Sequence, residues 1–189
     1  MEPRYIIGAA RQEQFPTEES PEIAFLGRSN VGKSSLLNRL LNSKGLARTS
    51  SKPGCTQLIH FYGAADGLRF VDLPGYGYAR VPRSVAEKWK ELIEAYLLGR
   101  KRLALSILLL DVRRGWMEKD LELRKWLEFH NRRHLVVATK TDKLKRSELH
   151  RGLDAIRQVA GHDPVPFSAV TGEGVREIWQ VIWKTQNKP

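Results

Sequence analysis

One stretch of the chain has residue types and a spacing suited to binding phosphate groups. Gly27 to Ser34 reads G-R-S-N-V-G-K-S and directly follows the apolar run 23–26. Its two fixed glycines let the backbone curl so that successive N–H groups face a diphosphate; Lys33 reaches the β- and γ-phosphates, and Ser34 offers a hydroxyl to Mg²⁺. The positive end of the next helix adds to the attraction. An ordinary Gly-rich turn is the alternative, so the rest of the sequence must decide.

A second candidate element, Asp72-Leu73-Pro74-Gly75, has the form D-x-x-G and ends an apolar run. The Asp72 carboxylate can hold Mg²⁺ through water, and the Gly75 N–H can approach a γ-phosphate because no side chain blocks it. Alone, the motif is a common turn at the end of a strand. Its position after the phosphate loop favours a site for a nucleoside triphosphate.

Thr139-Lys140-Thr141-Asp142 closes another apolar run and suits recognition of guanine. The Asp142 carboxylate can accept hydrogen bonds from the ring N1–H and the exocyclic amine, while the Lys140 stem lies against the base. Adenine would leave that carboxylate unpaired in a desolvated pocket. Downstream, a backbone N–H of Phe167-Ser168-Ala169 could donate to the guanine O6. A charged loop beside a buried strand is the alternative interpretation.

Short β-rich runs alternate along the chain with segments of helical periodicity. This alternation predicts an α/β fold whose strands and helices would position these motifs. The Asp-Gly turn in 64–67 predicts a hairpin. We therefore expect a mostly parallel six-stranded sheet with one antiparallel strand and helices on both faces. The predicted strands are 22–26, 58–63, 68–72, 106–112, 134–139 and 165–168.

The ends of the chain and its helices have readable patterns as well. Residues 84–87 form a capping box that begins a helix. In the last helix, the apolar spacing from Val175 predicts that Trp179 and Trp183 both lie on the buried side. Residues 1–21, with Pro16, Pro21 and the Glu18-Glu19 pair, predict a loosely ordered N-terminal extension before a single domain over 22–186.

The composition fits an intracellular protein that meets polyanions. The chain has 189 residues and one cysteine, Cys55, so no intrachain disulfide can form. Residues 103–110 are too short an apolar run to span a bilayer, and the N-terminus lacks a signal-peptide layout. We expect a cytoplasmic location and no membrane partner.

The net charge is +11, and residues 100–151 hold fifteen Lys/Arg against seven Asp/Glu. These charges are either solvated helix faces or a surface for nucleic acid.

The wording of the motifs resembles the EngB family of GTPases, also called YihA or YsxC, in the TrmE-Era-EngA-EngB-like group. The resemblance covers residues 22 to about 185 and rests on G-R-S-N-V-G-K-S-S-L-L-N, T-S-S-K-P-G-C-T-Q, V-D-L-P-G-Y-G-Y-A and T-K-T-D-K. It implies a three-layer, Ras-like P-loop GTPase domain that hydrolyses GTP to GDP. It further implies a switch role in assembly of the large ribosomal subunit, with rRNA and ribosomal proteins as partners, and a requirement in cell division and septation. We expect a monomer.

The resemblance also assigns roles to residues of this chain. Thr56 would be the switch threonine that completes the Mg²⁺ shell with Ser34 and Asp72, and Lys33, Thr56 and Gly75 would act in catalysis. Cys55 stands where many relatives have a basic residue, which weakens a phosphate contact there. The complete nucleotide-binding set is Gly27, Arg28, Ser29, Asn30, Val31, Gly32, Lys33, Ser34, Gly54, Cys55, Thr56, Gln57, Leu58, Asp72, Leu73, Pro74, Gly75, Thr139, Lys140, Thr141, Asp142, Phe167, Ser168 and Ala169.

The catalytic set has a gap. Many signalling GTPases place a water-orienting glutamine after D-x-x-G, whereas this chain has Tyr76. We therefore expect slow intrinsic turnover. Asn30 either coordinates K⁺ against the phosphates, as in related GTPases, or only stabilises the loop. Two other function classes stay open: a P-loop kinase, which would not need T-K-T-D, and a constitutive ribosome-binding module in which the nucleotide is structural.

Overall fold

Strands that are buried along almost their whole length build a central sheet whose two faces are both covered by helices. The computed structural model describes residues 2–17, 19–47, 58–76 and 83–186. Its strands are β1 Arg4–Ala9, β2 Glu22–Gly27, β3 Ile59–Gly63, β4 Arg69–Asp72, β5 Leu103–Asp111, β6 His134–Thr139 and β7 Val165–Phe167. Its helices are α1 Lys33–Leu40, α2 Arg83–Gly99, α3 Glu118–Phe129, α4 Arg146–Ala160 and α5 Val175–Gln186.

The sheet has the order β1-β3-β4-β2-β5-β6-β7. β3 pairs antiparallel with both of its neighbours, and the remaining pairings are parallel. The prediction of one antiparallel strand in a mostly parallel sheet is confirmed, as are the six predicted strands. β5 starts at Leu103, three residues before the predicted start.

Period-two alternation along β2 sends successive side chains to opposite layers. Ile23 and Phe25 pack with α1 and α5 in one core cluster. Ala24 and Leu26 pack on the other face with Tyr96 of α2 and residues of α3. α4 lies over β5 and β6 in a third cluster. The three-layer arrangement follows directly from this alternation.

The predicted loose extension at the N-terminus is wrong for Arg4–Ala9, which forms a seventh strand. It pairs with β3 from Arg4 opposite Gly63 to Ala9 opposite Ile59, with an irregularity between Tyr5 and Ile7. This pairing covers an edge of β3 that would otherwise present unpaired N–H and C=O groups. The prolines that suggested disorder lie beyond the strand, and the partner strand is more than fifty residues away in sequence.

The prediction that both tryptophans of α5 are buried is half wrong. Trp179 packs against the core, with its ring 5.5 Å from that of Phe70. Trp183 is 44% exposed, stacks on Trp179 and donates from Nε1 to Asp66 at 3.3 Å. The neighbouring Ile182 is fully buried, so Trp183 lies at the margin of the apolar face of this amphipathic helix, and periodicity alone overstates its burial. Within the described residues, no helix has the length and apolarity needed to cross a membrane.

A buried ionic network fastens the end of the sheet where the parallel strands begin. Glu22 is fully buried, and its carboxylate accepts hydrogen bonds from Arg69 at 3.0 Å, from Arg100 at 2.5 Å and from the Tyr96 hydroxyl at 2.9 Å. Arg69 also donates to the Thr17 carbonyl oxygen at 2.8 Å. One carboxylate therefore ties β2, β4, α2 and the N-terminal segment together.

Removing the Glu22 charge should destabilise the protein strongly, because two buried guanidinium groups would lose their counter-ion. We expect Glu22→Gln to lower the free energy of unfolding in urea by about 3–5 kcal/mol. Glu94→Gln is the matched control, since Glu94 pairs with Lys90 on an exposed helix face at 3.8 Å and should change stability by less than about 1 kcal/mol. Equal effects of the two substitutions would contradict a stabilising role for the network.

Candidate functional site

The predicted motifs within the described residues lie together at the carboxyl ends of the parallel strands β2, β4, β5, β6 and β7. These ends are where ligands bind in open α/β sheets, because the loops there converge above the strand ends and helices start with their N–H groups facing outward. Residues far apart in sequence thus become neighbours.

Backbone curvature at the end of β2 shapes the phosphate loop. A Cβ at Gly27 would lie 2.8 Å from Val31 Cγ1 and 3.2 Å from Leu109 Cβ, so only glycine fits there. Asn30 and Gly32 have φ of 61° and 106°, in the left-handed region. Gly32 caps α1, and Lys33 is its first residue. The loop therefore turns sharply between strand and helix, as a phosphate cradle requires.

The lysine of this loop meets the aspartate of D-x-x-G. Lys33 Nζ donates to Asp72 Oδ1 in a close ion pair whose side chains are 12% and 9% exposed. Magnesium prefers hard oxygen ligands and is held by one or two carboxylates together with substrate phosphates. The Asp72 carboxylate and the Ser34 hydroxyl at the start of α1 offer such oxygens, so the donor set fits Mg²⁺.

The phosphate loop also touches the D-x-x-G segment through its backbone. Arg28 and Tyr76 form a parallel β-bridge, and the Ser29 N–H donates to the Tyr76 carbonyl oxygen at 3.2 Å. A Cβ at Gly75 would lie 3.2 Å from both Ser29 N and Ser29 Oγ. Ser29 Oγ is buried and has no hydrogen-bond partner among the described residues. Gly75 thus permits a close backbone approach that links the two segments.

Tyr76, which stands in the place of the water-orienting glutamine, points to α3. Its hydroxyl donates to Asp120 Oδ1 at 2.7 Å, and Asp120 also accepts from the Met117 N–H at 3.0 Å. Burial and the neighbouring carboxylate raise the pKa of Tyr76 well above its ordinary value, and burial raises the pKa of Asp120. The phenol stays protonated at neutral pH and cannot serve as a base.

The two predicted base-recognition loops are joined by a hydrogen bond. The Ser168 hydroxyl donates to Asp142 Oδ1 at 2.8 Å, and this bond lowers the pKa of Asp142, which keeps the carboxylate ionised. Ser168 Oγ accepts from the Val170 and Thr171 N–H groups, each at 3.2 Å. A charged acceptor is therefore held in a defined position beside the second loop.

Lys140 and Thr139 connect the T-K-T-D loop to the phosphate loop. Lys140 Nζ donates to the Asn30 carbonyl oxygen at 2.6 Å and pairs with Asp111 Oδ2 at 3.0 Å. The Thr139 hydroxyl is buried and donates to the Val31 carbonyl oxygen at 2.6 Å. Burial opposes ionisation of Asp111, but hydrogen bonds from Arg113 and Lys140 outweigh it and hold the pKa of Asp111 well below its usual range.

Other predicted site residues have different surroundings. Leu73, Pro74 and Phe167 are buried in the core, and Ala169 packs partly buried against it. Thr141 is buried and donates its hydroxyl to Glu173 Oε2 at 2.6 Å. Leu58 lies half-buried before β3. Gly54, Cys55, Thr56 and Gln57 lie outside the described residues.

Three residues of this region were missed from the sequence: Arg39, Asp111 and Glu173. Arg39 on α1 donates from Nε to the Ala169 carbonyl oxygen at 2.8 Å and from Nη2 to the Val170 carbonyl oxygen at 3.0 Å. No sequence signal marks it, since it is one polar residue on an exposed helix face. Asp111 had a signal, because it is a carboxylate that ends the apolar run of β5.

The basic segment 100–151 does not form a single surface. Arg113, Lys140 and Lys143 lie at the site edge and pair with Asp111 or Asp142. A different group, Lys101, Arg102, Arg132 and Arg133, lies in the loops that precede β5 and β6, at the opposite edge. The tertiary structure thus separates the charges into at least two groups.

Comparison with known proteins gives close matches over nearly the whole chain. The sequence profile of a family described as 50S ribosome-binding GTPases matches residues 22–140. A probable GTP-binding protein EngB of Solibacter usitatus is 60% identical over 181 residues, covering 96% of this chain and 94% of its own length. A probable GTP-binding protein EngB of Syntrophus aciditrophicus is 45% identical over 186 residues, with coverage of 97% and 95%.

A solved structure shares the fold as well. The crystal structure of a probable GTP-binding protein engB superposes with a TM-score of 0.72 at 24% identity, covering 87% of this chain and 97% of its own. At that identity the likeness concerns the fold.

Truncating Arg39 should loosen a bound guanine nucleotide, because the loop that carries the Ala169 N–H would lose two hydrogen bonds. We expect Arg39→Ala to raise the dissociation rate of a fluorescent GDP about five- to tenfold, as loss of two partly exposed bonds implies. Stopped-flow displacement measures this rate.

Two further variants show whether the Arg39 effect is specific. Lys44→Ala removes another exposed cation that follows the same helix and should leave the rate unchanged. Arg39→Lys should fall between the wild type and Arg39→Ala, because one amine cannot reproduce the fork of a guanidinium. An unchanged dissociation rate in Arg39→Ala would refute the positioning role.

Proposed function

This chain belongs to the EngB family of GTP-binding proteins, a group of GTPases, and from that membership we propose that its GTP cycle switches an association with the large ribosomal subunit during assembly. In this proposal the GTP form and the GDP form differ in affinity for the subunit. Hydrolysis of GTP to GDP then ends one of the two states.

The observation that carries the switch proposal is the direct contact between the phosphate loop and the D-x-x-G segment. The Ser29 N–H to Tyr76 carbonyl bond and the close approach of Gly75 to Ser29 join a phosphate cradle to the segment that would meet the γ-phosphate. A ligand group at this junction changes the contacts of both segments at once. Gain or loss of a γ-phosphate therefore has a mechanical route to the surface.

Each part of the site has a place in the proposed reaction. N–H groups of residues 27–34 bind the α- and β-phosphates, while Lys33 neutralises charge on the β- and γ-phosphates in place of its bond to Asp72. The Gly75 N–H donates to the γ-phosphate, and Thr56 completes the catalytic set. Mg²⁺, held by Ser34, Thr56 and Asp72, would neutralise charge that develops on the transferring phosphate.

Guanine selection is proposed for the loops joined by Ser168. The ionised Asp142 carboxylate accepts from the base, and the Ala169 N–H donates to its O6. Because Ser168 and Arg39 restrain this pocket before binding, little order has to be created when the nucleotide arrives. Arg39 thus acts on base recognition through the loop and does not touch the base.

Turnover should be slow without a partner. The Tyr76 hydroxyl is engaged with Asp120 and remains protonated, so Tyr76 does not orient the attacking water. Stabilisation by preorganised amides, Lys33 and bound cations remains. We propose that K⁺ at Asn30 supplies additional positive charge beside the phosphates.

The ribosomal partner is supported by the family description and by charge. The matched family is described as binding the 50S subunit, and a net charge of +11 favours association with RNA. We further propose a cytoplasmic, monomeric protein whose loss disturbs cell division and septation; these roles are inferred from the family resemblance.

Ribosome binding should depend on the nucleotide. We expect purified 50S subunits to bind the protein at least tenfold more tightly with a non-hydrolysable GTP analogue than with GDP, as co-sedimentation at fixed salt measures. The ratio of the two affinities measures how strongly the γ-phosphate favours the conformation that binds the subunit. Equal affinities would instead favour a constitutive module in which the nucleotide is structural.

A glycine variant serves as the control for the switch experiment. In Gly75→Ala the added methyl group meets Ser29 and blocks access to the Gly75 N–H. We expect this variant to keep the GDP-state affinity for 50S subunits and to lose most of the increase with the GTP analogue. A full increase in the variant would count against the junction as the route of the switch.

Potassium should accelerate hydrolysis. We expect GTP turnover at least several-fold faster in KCl than in NaCl at matched ionic strength, with the difference abolished in Asn30→Ala. Phosphate release under single-turnover conditions measures it. The same rate in both salts would exclude K⁺ stimulation and leave Asn30 as a loop-stabilising residue.

A further inference from the structure

We propose that a surface at the amino ends of the parallel strands, opposite the nucleotide site, binds an unpaired segment of RNA in both nucleotide states. This aromatic–basic patch lies where α2 and α3 end and before β5 and β6 begin. The partner named here, RNA of the large ribosomal subunit, rests on the proposed function. The patch consists of Leu98, Lys101, Arg102, Phe129, Arg132 and Arg133.

An exposed aromatic ring stands at the centre of the patch. Phe129, the last residue of α3, is 81% exposed, more than any other large apolar side chain of the described residues. The His130 ring meets it edge-on at 5.0 Å and lies 4.3 Å from the Trp126 ring, which packs against the core. Phe129 therefore exposes its aromatic ring to solvent, while the His130 ring beside it contacts the Trp126 ring.

Cationic residues lie in the loop that follows this ring and in the neighbouring loop before β5. Residues 98–102 and 129–133 together contain five Lys or Arg and no Asp or Glu. One of these, Arg100, is buried on Glu22. The nearest preceding acid, Glu128, is already paired with Arg124 at 2.8 Å. Arg132 donates to a neutral carbonyl and Arg133 is exposed, so these two residues give the patch a positive charge that a polyanion would neutralise.

Backbone contacts place the two loops side by side. Arg132 Nη2 donates to the Leu98 carbonyl oxygen at 2.6 Å, which ties the end of α2 to the loop after α3. The Arg102 carbonyl accepts from the Glu22 N–H at 2.8 Å, and the Arg133 carbonyl accepts from the Ser106 N–H at 2.9 Å. Both loops are therefore anchored to the same sheet edge, which fixes the spacing of their charges.

The chemistry favours single-stranded RNA over a protein partner. The centre of a protein–protein interface is depleted of charged residues, whereas here Arg132 and Arg133 closely follow the exposed ring in sequence. Unpaired bases stack on aromatic rings while Lys and Arg bind the adjoining phosphates. In a paired A-form helix the bases are stacked on each other and are not available to a protruding ring, so a loop or bulge fits best.

The position of the patch decides how it acts. The nucleotide site lies at the carboxyl ends of the parallel strands, and the patch lies at their amino ends, about 25 Å away along the nine residues of β5. A base stacked on Phe129 would touch none of the residues proposed to meet the γ-phosphate. The patch therefore adds affinity equally in the GTP and GDP states.

Substitution of the ring and of one cation tests the patch. We expect Phe129→Ala to weaken 50S binding about tenfold in both nucleotide states and Phe129→Trp to retain it. Arg133→Ala should weaken binding about threefold and make the logarithmic salt dependence shallower by about 0.7. GTP hydrolysis without ribosomes should be unchanged in all three variants.

Two substitutions elsewhere on the protein surface serve as controls for this patch. Val159→Ala removes an exposed apolar side chain on α4, and Lys90→Ala removes an exposed cation on α2, eight residues before Leu98. Neither residue belongs to the patch, and neither substitution should affect binding. Photo-crosslinking from p-benzoylphenylalanine at position 129 should label rRNA. Labelling of ribosomal protein alone, or wild-type affinity of Phe129→Ala, would overturn the proposal.

Failure of the ribosomal role gives a different result. If the wild type binds no 50S subunit in either state, the proposed function fails, and a fluorescent single-stranded RNA oligonucleotide then tests the patch directly. Tenfold weaker oligonucleotide binding by Phe129→Ala would still support the patch. Equal binding by the two proteins would reject it.

Discussion

The curled backbone at the end of β2 is the constraint on which the rest of the site depends. Two other segments of the site are bonded to residues 27–34: Tyr76 accepts from Ser29 and Asp72 pairs with Lys33, while Lys140 donates to Asn30 and Thr139 donates to Val31. The curl is possible because Gly27 leaves no room for a Cβ and Gly32 adopts a left-handed conformation. The loop is thus both a phosphate cradle and the common support of its neighbours.

The carboxyl and amino ends of the parallel strands differ in how their charged groups are held. At the carboxyl ends, charged groups remain close to the surface, where they can exchange internal partners for a ligand; Lys33 and Asp72 are the clearest pair. At the amino ends, the Glu22 carboxylate is fully buried and satisfied by three donors, which suits a permanent fastening. An exchangeable site and a rigid anchor therefore sit on one set of strands.

The distribution of positive charge follows the same division. Cations at the site edge pair with Asp111 and Asp142 and serve the arrangement of the loops. Those at the opposite edge lie in the two loops beside Phe129, before β5 and β6. In the proposed function, one contact with the ribosome responds to the nucleotide and another does not, and the two lie at opposite ends of the parallel strands.

The sequence by itself determined the α/β class, six of the strands, the one reversed strand and the candidate site motifs, because these depend on local periodicity and on contiguous residues. It missed the strand Arg4–Ala9, the clamp from Arg39 and the exposure of Trp183, and it could not assign the basic segment to one face or two. Those features depend on which distant residues meet: β1 needs the free edge of β3, and Arg39 needs carbonyls 130 residues away. Only tertiary packing brings such groups together, since local spacing does not record which partner each one finds.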